Sequence, residues 1–296
     1  MTEDLVTAEL TVDGRTRTFS VRPPSDRGAP LVLALHGNMS GAGDRPSAGG
    51  AGPLMDQWLG FGALAAESGI AVAYPDGWQQ CWADGRGVTA ADEAGVDDIA
   101  FLRRLIERCA ERFGTAPDRT IVAGISNGAF MSHRVALELA DQVPVFAAVA
   151  GALPAALRDI RPTHAVSAML INGTADPIQP IEGGFSRNRG PNGELRGRTL
   201  SLAESAEHWR TIDRCGGAGT TTTTALSSRH TVDGGVGGSR VTAWTVFGGG
   251  HSWPGAPVPA EWAGAPGFAT TREFDAAAEI LRFARPLLIP ARARKL

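Results

Sequence analysis

Cysteine is scarce in this 296-residue chain, which has only Cys81, Cys109 and Cys215. Three thiols do not make a disulfide framework. Cys109 falls on the apolar stripe of an expected helix, while Cys81 and Cys215 lie in irregular stretches where pairing stays open. There is no Cys-x-x-Cys, no His-Glu-x-x-His and no clustered His/Asp set, so neither metal nor cofactor is expected. Gly-x-x-x-x-Gly-Lys and a strand-following Gly-x-Gly-x-x-Gly are also missing, which removes the common nucleotide sites. Net charge is only −3, and the one basic run is the terminal Arg-Ala-Arg-Lys, so nucleic acid has no electrostatic footprint here. No apolar run is long enough to span a bilayer. The opening Met1-Thr2-Glu3-Asp4 is acidic and unlike a signal peptide, so the expected location is the cytoplasm, or outside the cell if a leader has been removed. Oligomeric state is not legible.

A hydrophobic fraction of 43% in a chain of this length can fill one large core. Residues 5–12 and 16–21 alternate around Asp13-Gly14, a strong hairpin turn. Continuous apolar runs at 30–36, 70–74, 120–123, 145–150, 168–172 and 241–247 read as strands covered on both faces. Helical spacing joins Leu54, Trp58, Phe61 and Ala65, closed by Gly69. It also joins Ile99, Leu102, Ile106, Cys109 and Phe113 behind Asp97-Asp98, which fit helix-capping positions. Ser201-Leu202-Ala203-Glu204 is a capping box, and Thr270-Thr271-Arg272-Glu273 is expected to cap a last helix carrying Phe274, Ala278 and Leu281. The five threonines at 220–224 fit a solvated edge strand. Residues 178–198 lack periodicity and read as an excursion above the sheet, the first part of a small cap-like segment over 178–215. The expectation is a single α/β domain over 1–296, with a mostly parallel sheet of about eight strands and helices on both faces.

The chemistry concentrates at Gly124-Ile125-Ser126-Asn127-Gly128, which follows a β-branched strand and opens a helix. This is the nucleophile-elbow pattern. A strand turning straight into a helix strains the serine and projects its hydroxyl, and the residues two before and two after must lack bulk. Two partners follow in chain order. Asp176 stands after the strand at 168–172, and His251 follows the last apolar strand behind Gly248-Gly249-Gly250. The order serine, acid, histidine is that of α/β-hydrolases. His36 reads as a strand-end residue that orders the glycine-rich loop behind it. The backbone N–H groups of Asn38 and Asn127 are the candidate oxyanion donors. Trp78, Trp82 and Trp253, in loops at strand ends, are candidates to wall the substrate pocket, with pinning of the loop as the alternative for the first two.

Six motifs occur in order: Leu35-His36-Gly37, Tyr74-Pro75-Asp76-Gly77-Trp78, Asp97-Asp98-Ile99-Ala100-Phe101, the elbow, Asn172-Gly173-Thr174-Ala175-Asp176 and Gly249-Gly250-His251. With them the chain resembles the polyhydroxybutyrate depolymerase and feruloyl/acetylxylan esterase group of α/β-hydrolases, over roughly residues 15–285. The resemblance implies a serine esterase without a metal, with a triad of Ser126, Asp176 and His251 acting on a small-molecule or polymeric ester. Short-chain, hydroxyalkanoate or polyester, and feruloyl-type esters all fit. Many relatives carry a cysteine where this chain has Asn38, so a disulfide from that position cannot form here. A thioesterase or peptidase on the same fold, and a non-catalytic polymer- or carbohydrate-binding relative, are the alternatives.

Overall fold

The computed structural model describes residues 5–39, 50–189, 193, 195–257, 265, 267–288 and 293–296. The strands are β1 (Val6–Val12), β2 (Arg15–Arg22), β3 (Leu31–Leu35), β4 (Ala71–Pro75), β5 (Thr120–Ile125), β6 (Val145–Val149), β7 (Ser167–Gly173), β8 (Gly184–Arg189), β9 (Leu195–Thr199), β10 (Thr220–Thr223), β11 (Ser227–Val232) and β12 (Val241–Val246). The helices are α1 (Gly52–Leu59), α2 (Phe61–Ser68), α3 (Ala90–Glu93), α4 (Asp98–Phe113), α5 (Asn127–Glu138), α6 (Leu202–Ile212) and α7 (Ala276–Ala284).

Ten of these strands form one sheet in the order β1-β2-β4-β3-β5-β6-β7-β12-β11-β10. The six from β4 to β12 run parallel, and the outer pairs at either edge are antiparallel. The architecture is thus the expected mostly parallel α/β sheet, with ten strands rather than about eight.

Period-two alternation explains the three layers. Leu31, Leu33, Leu35, Val122, Phe146 and Leu170 face a core closed by α4, α5 and α6. Their neighbours Val32, Ala34, Ile121, Ala123, Ala147 and Ile171 face the opposite core, closed by α1, α2 and α7. Both faces of the parallel strands are therefore apolar, which is why they read as unbroken hydrophobic runs.

Several local expectations are corrected. The helical run at 54–65 is two helices, because Gly60 adopts φ 82° between α1 and α2. α7 starts later than expected, capped by the Asp275 side chain, which accepts from the Ala278 N–H at 2.8 Å. The aperiodic 178–198 stretch contains an antiparallel hairpin, β8 with β9, whose register shifts twice. Those irregularities blur the alternation that marks a strand in sequence. All three cysteines are free and buried, so Cys81 and Cys215 do not pair. No helix among the described residues is long and apolar enough to cross a membrane.

Candidate active site

Ser126 ends β5 and caps α5 with φ 57° and ψ −118°. This conformation is strained for a residue with a side chain. Two glycines make it achievable. A Cβ on Gly124 would strike the Gly128 carbonyl, and one on Gly128 would strike the Leu35 carbonyl. The turn is then fixed by hydrogen bonds from Ser126 N–H to Val149 O (2.9 Å) and from Ala129 and Phe130 N–H to Ser126 O (2.9 and 3.1 Å). Asn127 is the first residue of α5, so its backbone N–H has no intrahelical acceptor and stands beside the serine.

The loop after β3 borders the same spot, since a Cβ on Gly37 would lie 3.4 Å from Ser126 Cβ. His36 orders this loop, as expected. Its Nδ1 donates to Gly37 O at 2.6 Å, and its Nε2 accepts from the Gly77 N–H at 2.9 Å. Burial holds its pKa below the usual histidine value, consistent with a neutral ring bearing its proton on Nδ1. Asn38 follows on the exposed side.

In the loops after the neighbouring strands β7 and β12, Asp176 and His251 meet. The ends of β7 and β12 approach so closely that a Cβ on Gly173 would strike the Gly249 carbonyl. Ala175 N–H donates to Gly249 O at 2.9 Å, and His251 N–H to Gly267 O at 2.7 Å. Asp176 is 2% exposed. Its Oδ1 accepts from the Ile178 and Gln179 N–H groups at 2.8 Å each, and its Oδ2 accepts from His251 Nδ1 at 2.7 Å. The imidazole is thereby fixed with Nε2 as its remaining nitrogen. No hydrogen bond joins Ser126 Oγ to His251 among the described residues.

Sequence reasoning did not reveal how the loop at 76–89 is fastened behind the serine. The Asn127 side chain accepts from Trp82 N–H at 2.7 Å and donates to Trp82 O at 3.1 Å and to Asp84 Oδ2 at 2.6 Å. Asp84, fully buried, is gripped by the Arg86 fork, whose guanidinium lies 3.8 Å from the Phe130 ring centroid. Asp98 caps nothing. It is buried, accepts from Ala83 N–H at 2.8 Å and pairs with Arg17 at 2.7 Å. Burial pushes the Asp98 carboxyl up, while Arg17 and the Ala83 N–H pull it back. Asp97 alone takes the capping role, accepting from Ala100 N–H at 2.8 Å.

The tryptophan expectation needs correction. Trp82 is fully buried, with Nε1 donating to His36 O at 2.9 Å, so it braces the loop. Trp253 is 1% exposed and packs edge-on against Phe61 in the opposite core. Neither indole is exposed. Trp78 is half-buried under the Arg15 guanidinium. Two concavities of about 780 and 1000 Å³ flank α6, and neither includes Ser126, Asp176 or His251. Among the described residues, no group of three or more His, Cys, Asp or Glu side chains gathers as a metal ion would require.

A mostly parallel sheet with a strained serine between a central strand and the following helix, and an Asp–His pair in the loops after two later parallel strands, defines an α/β-hydrolase. Comparison with known proteins agrees. The chain is 31% identical over 274 residues to "Putative esterase NocK" of Nocardia uniformis subsp. tsuyamanensis, covering 85% of this chain and 74% of that protein. The acetyl xylan esterase of Aspergillus awamori superposes with a TM-score of 0.56 over 83% of this chain and 94% of that one, at 14% identity, which speaks for the fold alone. No family model matches. The chain belongs to the esterase family of α/β-hydrolases and is a carboxylic ester hydrolase.

Proposed function

We propose that hydrolysis proceeds through an acyl-enzyme on Ser126, with His251 as general base and Asp176 as its orienting partner. His251 Nε2 takes the hydroxyl proton as Ser126 Oγ attacks the ester carbonyl carbon. The oxyanion forms against the backbone N–H groups of Asn127 and Asn38. Collapse expels the alcohol, which takes the proton from His251, and the acyl group stays on Ser126. A water deprotonated by His251 then attacks the acyl carbon, and the carboxylic acid leaves as Ser126 regains its proton. The whole chain acts as one catalytic domain in this reading.

The observation that carries the proposal is the 2.7 Å His251–Asp176 bond, formed in loops at the same end of the parallel strands as the strained Ser126. A carboxylate only accepts, so the bond requires the Nδ1–H tautomer and leaves Nε2 as the basic nitrogen. Serine–histidine contacts in unliganded enzymes are often longer than hydrogen bonds and tighten when substrate arrives. Short-chain or polyester-type esters are the preferred substrates. Burial of Trp82 and Trp253 removes two walls of the aromatic pocket that a feruloyl group would want.

The test is turnover of p-nitrophenyl acetate and butyrate. Ser126→Ala is expected to lower kcat by about 10⁶, and His251→Ala by a similar factor. Near-normal turnover by either variant would place the chemistry elsewhere.

A further inference from the structure

The β8–β9 hairpin stands between two parts of the site. On one side Arg187 N–H and Ser186 Oγ donate to Ile178 O, at 2.9 and 3.2 Å. On the other, Arg196 Nη2 donates to Val88 O at 2.9 Å, and a Cβ on Gly197 would strike the Arg86 side chain that covers Phe130. The hairpin thus bridges the Asp176 loop and the loop fastened to Asn127.

In its sequence four arginines stand against one acid, Glu194. Arg187, Arg189 and Arg198 are exposed, and none is ion-paired with a carboxylate among the described residues. Elsewhere on the surface the arginines often have acidic partners. Arg103 faces Asp141, Arg104 faces Glu107 and Glu111, Arg210 faces Glu207, and Arg240 faces Asp233. In a chain of net charge −3, this hairpin is a local excess of positive charge. It also exposes Phe185 and Leu195, at 46% and 48%.

Arg187 is the best placed of the three. Its Nη1 donates to the backbone oxygen of Asp176 at 3.2 Å, which holds the guanidinium beside the residue whose carboxylate orients His251. That bond uses one of five N–H donors. The rest form a fork suited to a carboxylate.

We propose that Arg187 is an anion subsite of this esterase, and that preferred substrates carry a free carboxylate on the chain of the ester being cut. Arg189 and Arg198 add attraction at longer range, and Phe185 and Leu195 offer apolar contact to the intervening chain. This inference rests on the Ser126–Asp176–His251 reading of the site.

The test compares p-nitrophenyl half-esters of glutarate and adipate with p-nitrophenyl valerate and hexanoate, which match them in length but lack the charge. Arg187→Gln is expected to lower kcat/KM for the half-esters about ten-fold or more, with less than two-fold change for the neutral esters. Arg187→Lys should recover part of the loss, because it keeps the charge without the fork. As a measurement free of mutation, raising salt from about 20 to 500 mM should depress wild-type kcat/KM for the half-esters only. Equal losses on both ester types in Arg187→Gln would mean a mere brace for the acid loop and would overturn the proposal. So would equal salt responses. Ser126→Ala, run on both ester types, separates the two readings. Full activity there defeats the triad, whereas dead Ser126→Ala with an unselective Arg187→Gln defeats only the anion subsite.

Discussion

Two segments flank the candidate serine, and they are built in opposite ways. The loop at 76–89 has a buried centre at residues 81–84 between half-buried ends. Cys81, Trp82 and Asp84 are fully buried, and the charges that hold it, Arg17, Asp98 and Arg86, each have a partner of opposite sign. The hairpin strands at 184–189 and 195–199 are mostly exposed, and among the described residues no carboxylate stands within ion-pair distance of their arginines. In the sequence both are glycine-containing stretches with arginine and aromatic residues. Partnership separates them: one set of charges is satisfied within the fold and fixes a surface, while the other is left available for something arriving from solvent.

The largest expected effect tests whether the inner loop depends on its buried ions. Asp98→Ala strands the buried Arg17 guanidinium and the Ala83 N–H together, and breaking a buried pair in this way costs about 3–5 kcal/mol. A urea midpoint unchanged from wild type would show that the loop is held by packing alone.

Asp213 sharpens the contrast, because it is a buried acid with no arginine at hydrogen-bonding distance among the described residues. Its Oδ1 accepts from Val166 N–H at 3.2 Å, and burial pushes its pKa up to about 7. The folded state therefore holds this proton over a range where the unfolded chain has lost it. As pH rises from about 4 to 7, the group should withdraw stability, by an amount on the order of a few kcal/mol, and above 7 the loss is complete. Asp213→Asn should flatten that part of the stability–pH curve and raise Tm at pH 8. If wild type and variant run parallel from pH 4 to 8, Asp213 is ionised throughout.

Next in size is the link between the inner loop and the chemistry. Asn127→Ala frees Trp82 and Asp84 from the residue whose backbone N–H is proposed to hold the oxyanion. It should lower kcat by about ten- to a hundred-fold with little change in KM, less than deleting a donor outright. A raised KM at constant kcat would assign the loop to substrate binding instead. The smallest effect belongs to the outer segment. Arg189→Gln should shift stability by under about 0.5 kcal/mol, as expected for an exposed side chain with no ion-pair partner among the described residues. A larger loss in thermal melts would mean the hairpin is structurally integrated after all.

How much of this was legible beforehand follows from the range of each interaction. The elbow was readable because the strand, the serine, its two small neighbours and the helix lie within some ten residues, and each local requirement leaves a residue-type mark. The order of Ser126, Asp176 and His251 was readable for a related reason, since each follows an apolar strand. The clamp was not readable, because its partners are far apart in sequence: Arg17 and Asp98 differ by 81 positions, and Trp82 and Asn127 by 45. Asp98 looked like half of a capping pair, and nothing local distinguishes it from Asp97. As indoles in loops at strand ends, Trp82 fits either a pocket wall or a pin for its loop, and Trp253 fits a wall. What draws Trp82 inward is the His36 carbonyl that accepts its N–H, and that partner is invisible without the fold.

The central claim is that Ser126 is the one activated nucleophile. It is tested most directly by treating the protein with a fluorophosphonate, then measuring intact mass and mapping the modified peptide. One adduct per chain, located on Ser126, absent in Ser126→Ala and strongly slowed in His251→Ala, is the predicted result. An adduct on another residue, or labelling that persists at full rate without His251, would contradict it.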